Sequence, residues 1–324
     1  MTTMAPAVRR VSSPGGAVLH VAQPTDGGVA RYLADLAVHQ LAAGWRVAVA
    51  CPPHGRLVDD LAGTGVRLLP WSADRLPGPS VPGEVRRLAK LIATVDPALV
   101  HLHSSKAGLV GRLAVRGARG TVFQPHAWSV HAVPRMLRPA AAGWERRAAG
   151  WTDLLLCGAD DERRLGRALG IPGRYAVVPN GVDVERFDFA DAHEQARARS
   201  RLGLGDAPLA VCIGRLCRQK GQDLLLTAWQ EVASALPAAA LALVGGGPPP
   251  AGASAGPGLV LAGSVRDPRD WYAAADVVVC PSRWEGMALV PLEAMARGRS
   301  VVATDVGGTR QAVPPDAGAL VPPG

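Results

Sequence analysis

Short apolar runs recur along the chain, each followed by a stretch whose apolar residues return every three to four positions. Buried strands alternating with amphipathic helices predict an α/β fold with parallel sheets, because parallel strands need crossover connections. Ala17-Val-Leu-His-Val-Ala22 is the first strand, and the helix after it carries Val29, Leu33, Leu36, Ala37 and Leu41 on one face. Arg46-Val-Ala-Val-Ala-Cys51 completes a βαβ unit. Residues 98–103, 121–126, 153–157 and 175–179 continue the series. A helix over residues 160–169 has its acids first and its bases last, as the helix dipole favours. A polar, Ala- and Arg-rich passage then runs to Arg201, and the pattern restarts with strands at 209–213, 240–244, 259–265, 276–280 and 301–304. Between the first two of these, residues 223–236 form a helix with Leu225, Ala228, Trp229 and Val232 inward. The expected organisation is a loose Pro, Ser and Gly-rich leader over 1–15, a Rossmann-like domain over 16–185 and a second over 186–324.

Composition narrows this picture. With 324 residues, 48% of them hydrophobic, two cores of ordinary size are expected. No run of eighteen apolar residues occurs, and the opening ten residues lack the apolar centre of a signal peptide, so the expected location is cytoplasmic. Cys51, Cys157, Cys212 and Cys280 fall in apolar runs and Cys217 in a loop, with no C-x2-C pair, which predicts reduced thiols. The net charge of +8 is lopsided: residues 1–190 hold 23 Arg and Lys against 15 Asp and Glu, and residues 191–324 hold 12 of each. The arginines form no dense run, so nucleic acid is not an expected partner. A weak peripheral association with the anionic inner face of the plasma membrane is. G-x-G-x-x-G is absent from the first βαβ unit, against a dinucleotide oxidoreductase, and so is a D-x-D triplet, so no metal is expected.

The stretch with most chemistry is Pro281-Ser-Arg-Trp-Glu-Gly-Met-Ala-Leu-Val-Pro-Leu-Glu-Ala-Met-Ala-Arg-Gly298. It reads as a loop and a short helix starting near Val290, with Pro291 in the first turn and Gly298 at the C′ stop. Glu285 falls in the loop and Glu293 in the first helical turn, facing unpaired helix N–H groups. A capping acid and an exposed loop acid are the alternative reading of that pair. Upstream, Gly214-Arg-Leu-Cys-Arg-Gln-Lys-Gly221 is a basic loop.

The carboxylate spacing within its strand, loop, helix and strand setting resembles the E-x7-E signature of family-4 retaining glycosyltransferases. Pro179-Asn-Gly-Val-Asp183 and Val100-His-Leu-His-Ser-Ser-Lys-Ala-Gly108 are similar to segments of the same family, and the resemblance runs from Ala17 to Pro323. It implies a GT-B fold, two Rossmann-like domains facing across a cleft, and transfer of a sugar from a nucleoside diphosphate to an alcohol with retention of configuration. It implies that Arg215 and Lys220 clamp the donor diphosphate, that Glu293 holds the ribose, and that Glu285 and His126 lie near the donor sugar. Gly27 and Gly28 would approach the diphosphate, and Gly214, Val265, Gly286, Met287, Ala288 and Leu289 would complete the donor site. The expected partners are a nucleotide-sugar donor and an unidentified acceptor, a lipid-linked alcohol among the candidates; no cofactor is implied. His101 and His103 are read as structural or acceptor-side residues, not zinc ligands. Three positions depart from the family: Gly246 and Gln311 replace usual acids, and Ala288 stands where glycine is common. An epimerase of the same shape, a lysine-bound pyridoxal phosphate phosphorylase and a non-catalytic binder are the competing readings. The family also continues past the phrase at 318–324 with further helices, so this chain is expected to lack a helix-packing partner for its second domain.

Overall fold

The computed structural model describes residues 16–256 and 258–324. The expected leader over 1–15 lies outside them. The chain divides into two compact units, Met1–Val178 and Pro179–Gly324.

In the first unit, β1 (Ala17–Ala22), β2 (Arg46–Cys51), β3 (Arg67–Pro70), β4 (Leu99–His103), β5 (Gly120–Gln124), β6 (Leu154–Cys157) and β7 (Tyr175–Val177) form one sheet. Their order is β3-β2-β1-β4-β5-β6-β7, with every pair parallel. The strands alternate with helices α1 (Gly28–Ala42), α2 (Arg56–Leu61), α3 (Val81–Val95), α4 (Ser104–Val115), α5 (Arg138–Ala149) and α6 (Asp160–Ala168). Leu19, Val21, Leu102, Phe123 and Trp128 anchor one core layer, and Leu33, Val49, Leu57 and Leu61 another. Two buried ion pairs tie helices together: Lys106 Nζ lies 2.7 Å from Glu84 Oε2, and Arg112 Nη2 lies 2.7 Å from Glu145 Oε2. Each is a fixed internal contact, because unpairing either charge in the core would cost several kcal/mol.

The second unit repeats the architecture with helix α7 (Ala192–Arg201) leading into strands β8 (Leu209–Ile213), β9 (Ala240–Val244), β10 (Leu259–Gly263), β11 (Val277–Cys280), β12 (Ser300–Thr304) and β13 (Gly318–Val321). All pairs are parallel in the order β10-β9-β8-β11-β12-β13. The connecting helices include α8 (Gln222–Ala235), α9 (Arg269–Ala274), α10 (Leu289–Ala296) and α11 (Thr309–Ala312). In each sheet the strand order reverses direction once, between β1 and β4 and between β8 and β11. Ligands of open α/β sheets bind outside the carboxyl ends of strands at such a switch point.

Three expectations shift. The units part at Val178, not at 185, because the following phrase belongs to the second unit: Asn180 Nδ2 donates to the Met287 carbonyl at 2.7 Å. Helix α8 turns Leu225, Leu226 and Trp229 to the sheet and leaves Ala228 and Val232 exposed. Helix α10 begins at Leu289, ahead of Val290, which moves Glu293 past the first turn.

Candidate active site

Two loops meet at the switch point of the second sheet. One leaves β8 through Gly214 and ends at Gly221, and the other leaves β11 through Pro281 and runs into α10. Hydrogen bonds join the first loop to its neighbours, with Gly214 N donating to Val244 O at 2.8 Å and Leu216 N to Gly246 O at 2.8 Å. Buried Gln222 staples it from behind, its Nε2 donating to the Arg215 carbonyl at 3.1 Å. Gly221 has φ +69, and a Cβ there would sit 2.0 Å from the Pro281 carbonyl oxygen. Only glycine lets the two loops close on each other.

That closure brings Lys220 and Glu285 together. Lys220 Nζ donates to Glu285 Oε1 at 2.6 Å, and Ser282 Oγ donates to the same oxygen at 2.7 Å. The Glu285 side chain is 9% exposed, so it is no surface loop acid, and its Oε2 is left unpaired among the described residues. Burial opposes the Lys220 ammonium, but the Glu285 carboxylate outweighs it and the lysine pKa is raised. Lys220 therefore stays a cation at neutral pH. Ser282 and Thr309 line the same small cavity with Ala288 and Pro291.

The remaining second-unit residues sit around this pair in different ways. Arg215 is exposed on the β8 loop and is not drawn into the Lys220–Glu285 contact. Gly286 is buried, and its carbonyl accepts from Gly308 N at 2.6 Å. Met287 spends its carbonyl on Asn180. Ala288 caps α10 with extended backbone, and Leu289 opens the helix, so their amides belong to its unpaired N-terminal set. Val265 packs on the core two residues beyond β10. Glu293 corrects the expectation of a first-turn acid facing free amides. It is 4% exposed, and Tyr272 Oη donates to its Oε2 at 2.5 Å. Tyr272, Ser282 and Gln222 were not legible as site residues; only the polar Ser282 beside Pro281 and Gln222 after Lys-Gly gave any signal.

In the first unit, Gly27 and Gly28 are exposed at the start of α1, Gly27 at φ +83. His126 follows β5 at φ 52, with Ala127 at φ 92, both in the left-handed region that non-glycine residues rarely enter. Glu162 holds the turn there, accepting from Ala127 N at 2.7 Å and from Gly158 N at 2.8 Å. Behind His126 stands a group of imidazoles. The β1–β4 register sets His20 beside His101, and His103 two residues on shares their face. His20, His101 and His103 are buried. Burial pulls His20 down to about 4 and His126 to about 3, and holds His101 and His103 well below the usual histidine range. All four are neutral at pH 7.

Comparison with known proteins places this geometry. Residues 207–324 match the model of glycosyl transferases group 1, and residues 26–186 match that of glycosyltransferase family 4. The chain is 30% identical over 314 residues to a GDP-mannose-dependent alpha-(1-6)-phosphatidylinositol monomannoside mannosyltransferase of Mycobacterium tuberculosis, covering 90% of this chain and 80% of that protein. It is 34% identical over 257 residues to the protein of the same description from Mycolicibacterium smegmatis, covering 74% of this chain and 65% of that one. It is 35% identical over 247 residues to a D-inositol 3-phosphate glycosyltransferase of Geodermatophilus obscurus, covering 66% of this chain and 53% of that one. Among solved structures, sucrose-phosphate synthase from Thermosynechococcus elongatus aligns with a TM-score of 0.78 at 23% identity, over 95% of this chain and 86% of that one. The Anabaena protein HepE in complex with UDP-glucose aligns with a TM-score of 0.78 at 21% identity over the same shares, 95% and 86%. With both halves of the sequence matched and both sheets in place, the chain belongs to glycosyltransferase family 4.

Proposed function

We propose that this protein transfers a hexose from a nucleoside-diphosphate sugar to an alcohol with retention of configuration, in the assembly of a cell-envelope glycolipid. The observation that carries this reading is the Lys220–Glu285 contact, a cation and a carboxylate fixed at the carboxyl ends of β8 and β11. A departing diphosphate needs fixed positive charge, and charge-assisted hydrogen bonds to it contribute about 1.5–3 kcal/mol each. Lys220 supplies one, Arg215 on the same loop supplies another, and the amides opening α10 add their dipole. These groups stabilise the leaving group without a dedicated metal. Glu285 Oε2 is the free acceptor for a sugar hydroxyl. Glu293, braced by Tyr272, supports the ribose, and His126 offers a neutral imidazole to a substrate hydroxyl.

GDP-mannose is the first donor to test, because the mannosyltransferase relatives are described as dependent on it. A phosphatidylinositol-type acceptor is the first acceptor, on the same grounds. Such an acceptor lies at a membrane, and no helix among the described residues is long and apolar enough to cross one. The reading includes a cytoplasmic location with a weak electrostatic hold at the membrane surface, supported by the basic excess of the first half. The test is a donor panel of GDP-mannose, UDP-glucose and ADP-glucose with phosphatidylinositol vesicles, reading nucleoside diphosphate release with and without a chelator. NMR of the product fixes its anomer. Release from one donor that requires acceptor and survives chelation supports the reading; an inverted product or obligatory metal overturns the corresponding part.

A further inference from the structure

The imidazoles behind His126 are joined end to end. Gln40 on α1 accepts at Oε1 from His20 Nε2 at 2.7 Å. His20 Nδ1 then lies 3.0 Å from His103 Nε2, and His103 Nδ1 lies 3.1 Å from His126 Nε2. Each junction is a hydrogen-bond distance, and each holds one proton. A neutral imidazole has one N–H and one bare nitrogen, so the role of either nitrogen dictates that of the other. Gln40 Oε1 can only accept, so His20 carries its proton on Nε2 and accepts on Nδ1. His103 must then donate from Nε2 and accept on Nδ1, and His126 must donate from Nε2. The Nδ1 of His126 is left bare.

We propose that Gln40, acting through His20 and His103, sets which nitrogen of His126 carries the proton. His126 thereby presents an acceptor, suited to a substrate O–H and unsuited to a phosphate or carbonyl oxygen. Gln40, His20 and His103 are positioning residues in this scheme. The functional consequence rests on the transferase reading above, whereas the chain itself stands on the three distances. Tyr32, also on α1, packs edge-on against His126 with ring centroids 5.1 Å apart, which restrains the last ring of the chain.

His20, His101 and His103 could alternatively gather a metal ion, since one nitrogen from each lies within 4.8 Å of the others and His101 Nε2 has no hydrogen-bond partner. An ion there would have to displace the proton shared by His20 and His103. The hydrogen-bonded chain uses both nitrogens of His20 and His103, so it accounts for more of the geometry.

The experiment is long-range proton–nitrogen correlation NMR on histidine-labelled protein at pH 7, which distinguishes the two tautomers and the cation for each ring. His20, His103 and His126 are expected as neutral Nε2–H rings. Gln40→Glu keeps an acceptor at the end of the chain and should preserve all three. Gln40→Leu removes the end stop, so His126 should become a mixture of the two tautomers. A His126 that is Nδ1–H or charged in the wild type overturns the proposal, and that measurement stands if Gln40→Leu does not fold. A pure Nε2–H His126 in folded Gln40→Leu overturns it too. So does one equivalent of Zn²⁺ moving His20, His101 and His103 together and reversing with chelator; zinc without effect supports the chain. None of these outcomes depends on turnover, so a failed donor assay and a failed histidine chain are told apart.

Discussion

Glu285 takes both of its contacts on Oε1, from Lys220 and Ser282, which makes Lys220 and Arg215, two of the three cations of the β8 loop, unequal. Lys220 has a buried partner and Arg215 is exposed. Lys220→Met should therefore act twice, removing a diphosphate contact and leaving a largely buried carboxylate with one donor fewer. We expect nucleoside diphosphate binding to weaken by about 1.5–3 kcal/mol, while the free nucleoside is unaffected. Calorimetry with GDP and guanosine decides it, and equal losses for both ligands would remove Lys220 from the clamp. Tyr272→Phe removes a donor from buried Glu293 and should lower stability by about 1–3 kcal/mol, as read by urea unfolding. An unchanged midpoint would mean that the Tyr272–Glu293 bond holds nothing in place.

The loops are fitted to each other by glycine. Gly221 meets the Pro281 carbonyl, and at Gly307, φ +53, a Cβ would lie 2.1 Å from the Glu285 carbonyl oxygen. Gly221→Ala should separate the β8 and β11 loops and cost donor affinity as Lys220→Met does, although every charged residue remains. Wild-type affinity in that variant would show that the loop closure is dispensable. Among the strand ends of the first unit, the four neutral imidazoles give a pH signature. Unfolded histidines bind protons below about pH 6.5, and the folded ones resist until well below it. Stability is then fully present above that range and is lost as pH falls. Each of the buried three, His20, His101 and His103, contributes a slope of about 1.4 kcal/mol per pH unit while it stays neutral. Urea unfolding at pH 7, 6 and 5 should show a steep decline, and a flat profile would contradict neutral burial.

The two units have separate cores: Leu19, Leu102 and Phe123 belong to one, and Val211, Tyr272 and Val301 to the other. Lys220 and Arg215, the cations proposed to hold the diphosphate, both lie in the second. A fragment spanning 179–324 should therefore fold cooperatively and bind nucleoside diphosphate within about tenfold of the whole chain, a difference of about 1.4 kcal/mol. A molten fragment, or one that folds without binding, would mean that the second unit depends on the first. The basic excess of the first half makes a separate prediction, that sedimentation with anionic vesicles is measurable at low salt and vanishes as salt rises. No sedimentation at low salt would exclude an electrostatic hold.

Local periodicity by itself determined the alternation of buried strands and helices and the two-part organisation, and the resemblance to family-4 glycosyltransferases singled out the residues of the β8 and β11 loops. Strand and helix patterns are properties of a few neighbouring residues, and the E-x7-E spacing is too. It did not reveal the short strand β3, the helix α3 or the terminal strand β13, whose apolar runs are brief or interrupted. What only the tertiary structure decided is which side chains meet. Lys220 reaches Glu285 across 65 residues, and His20 reaches His103 across 83. Those contacts follow from strand order and register, which place β8 beside β11 and β1 beside β4. Glu293 proved buried and Glu285 largely so for the same reason: their surroundings, Ser282 and Lys220 for Glu285 and Tyr272 for Glu293, come from loops and helices that converge only when the sheet is assembled. The tautomer of His126 lies furthest from the sequence, since it depends on a proton order passed along four residues from α1, β1, β4 and the end of β5.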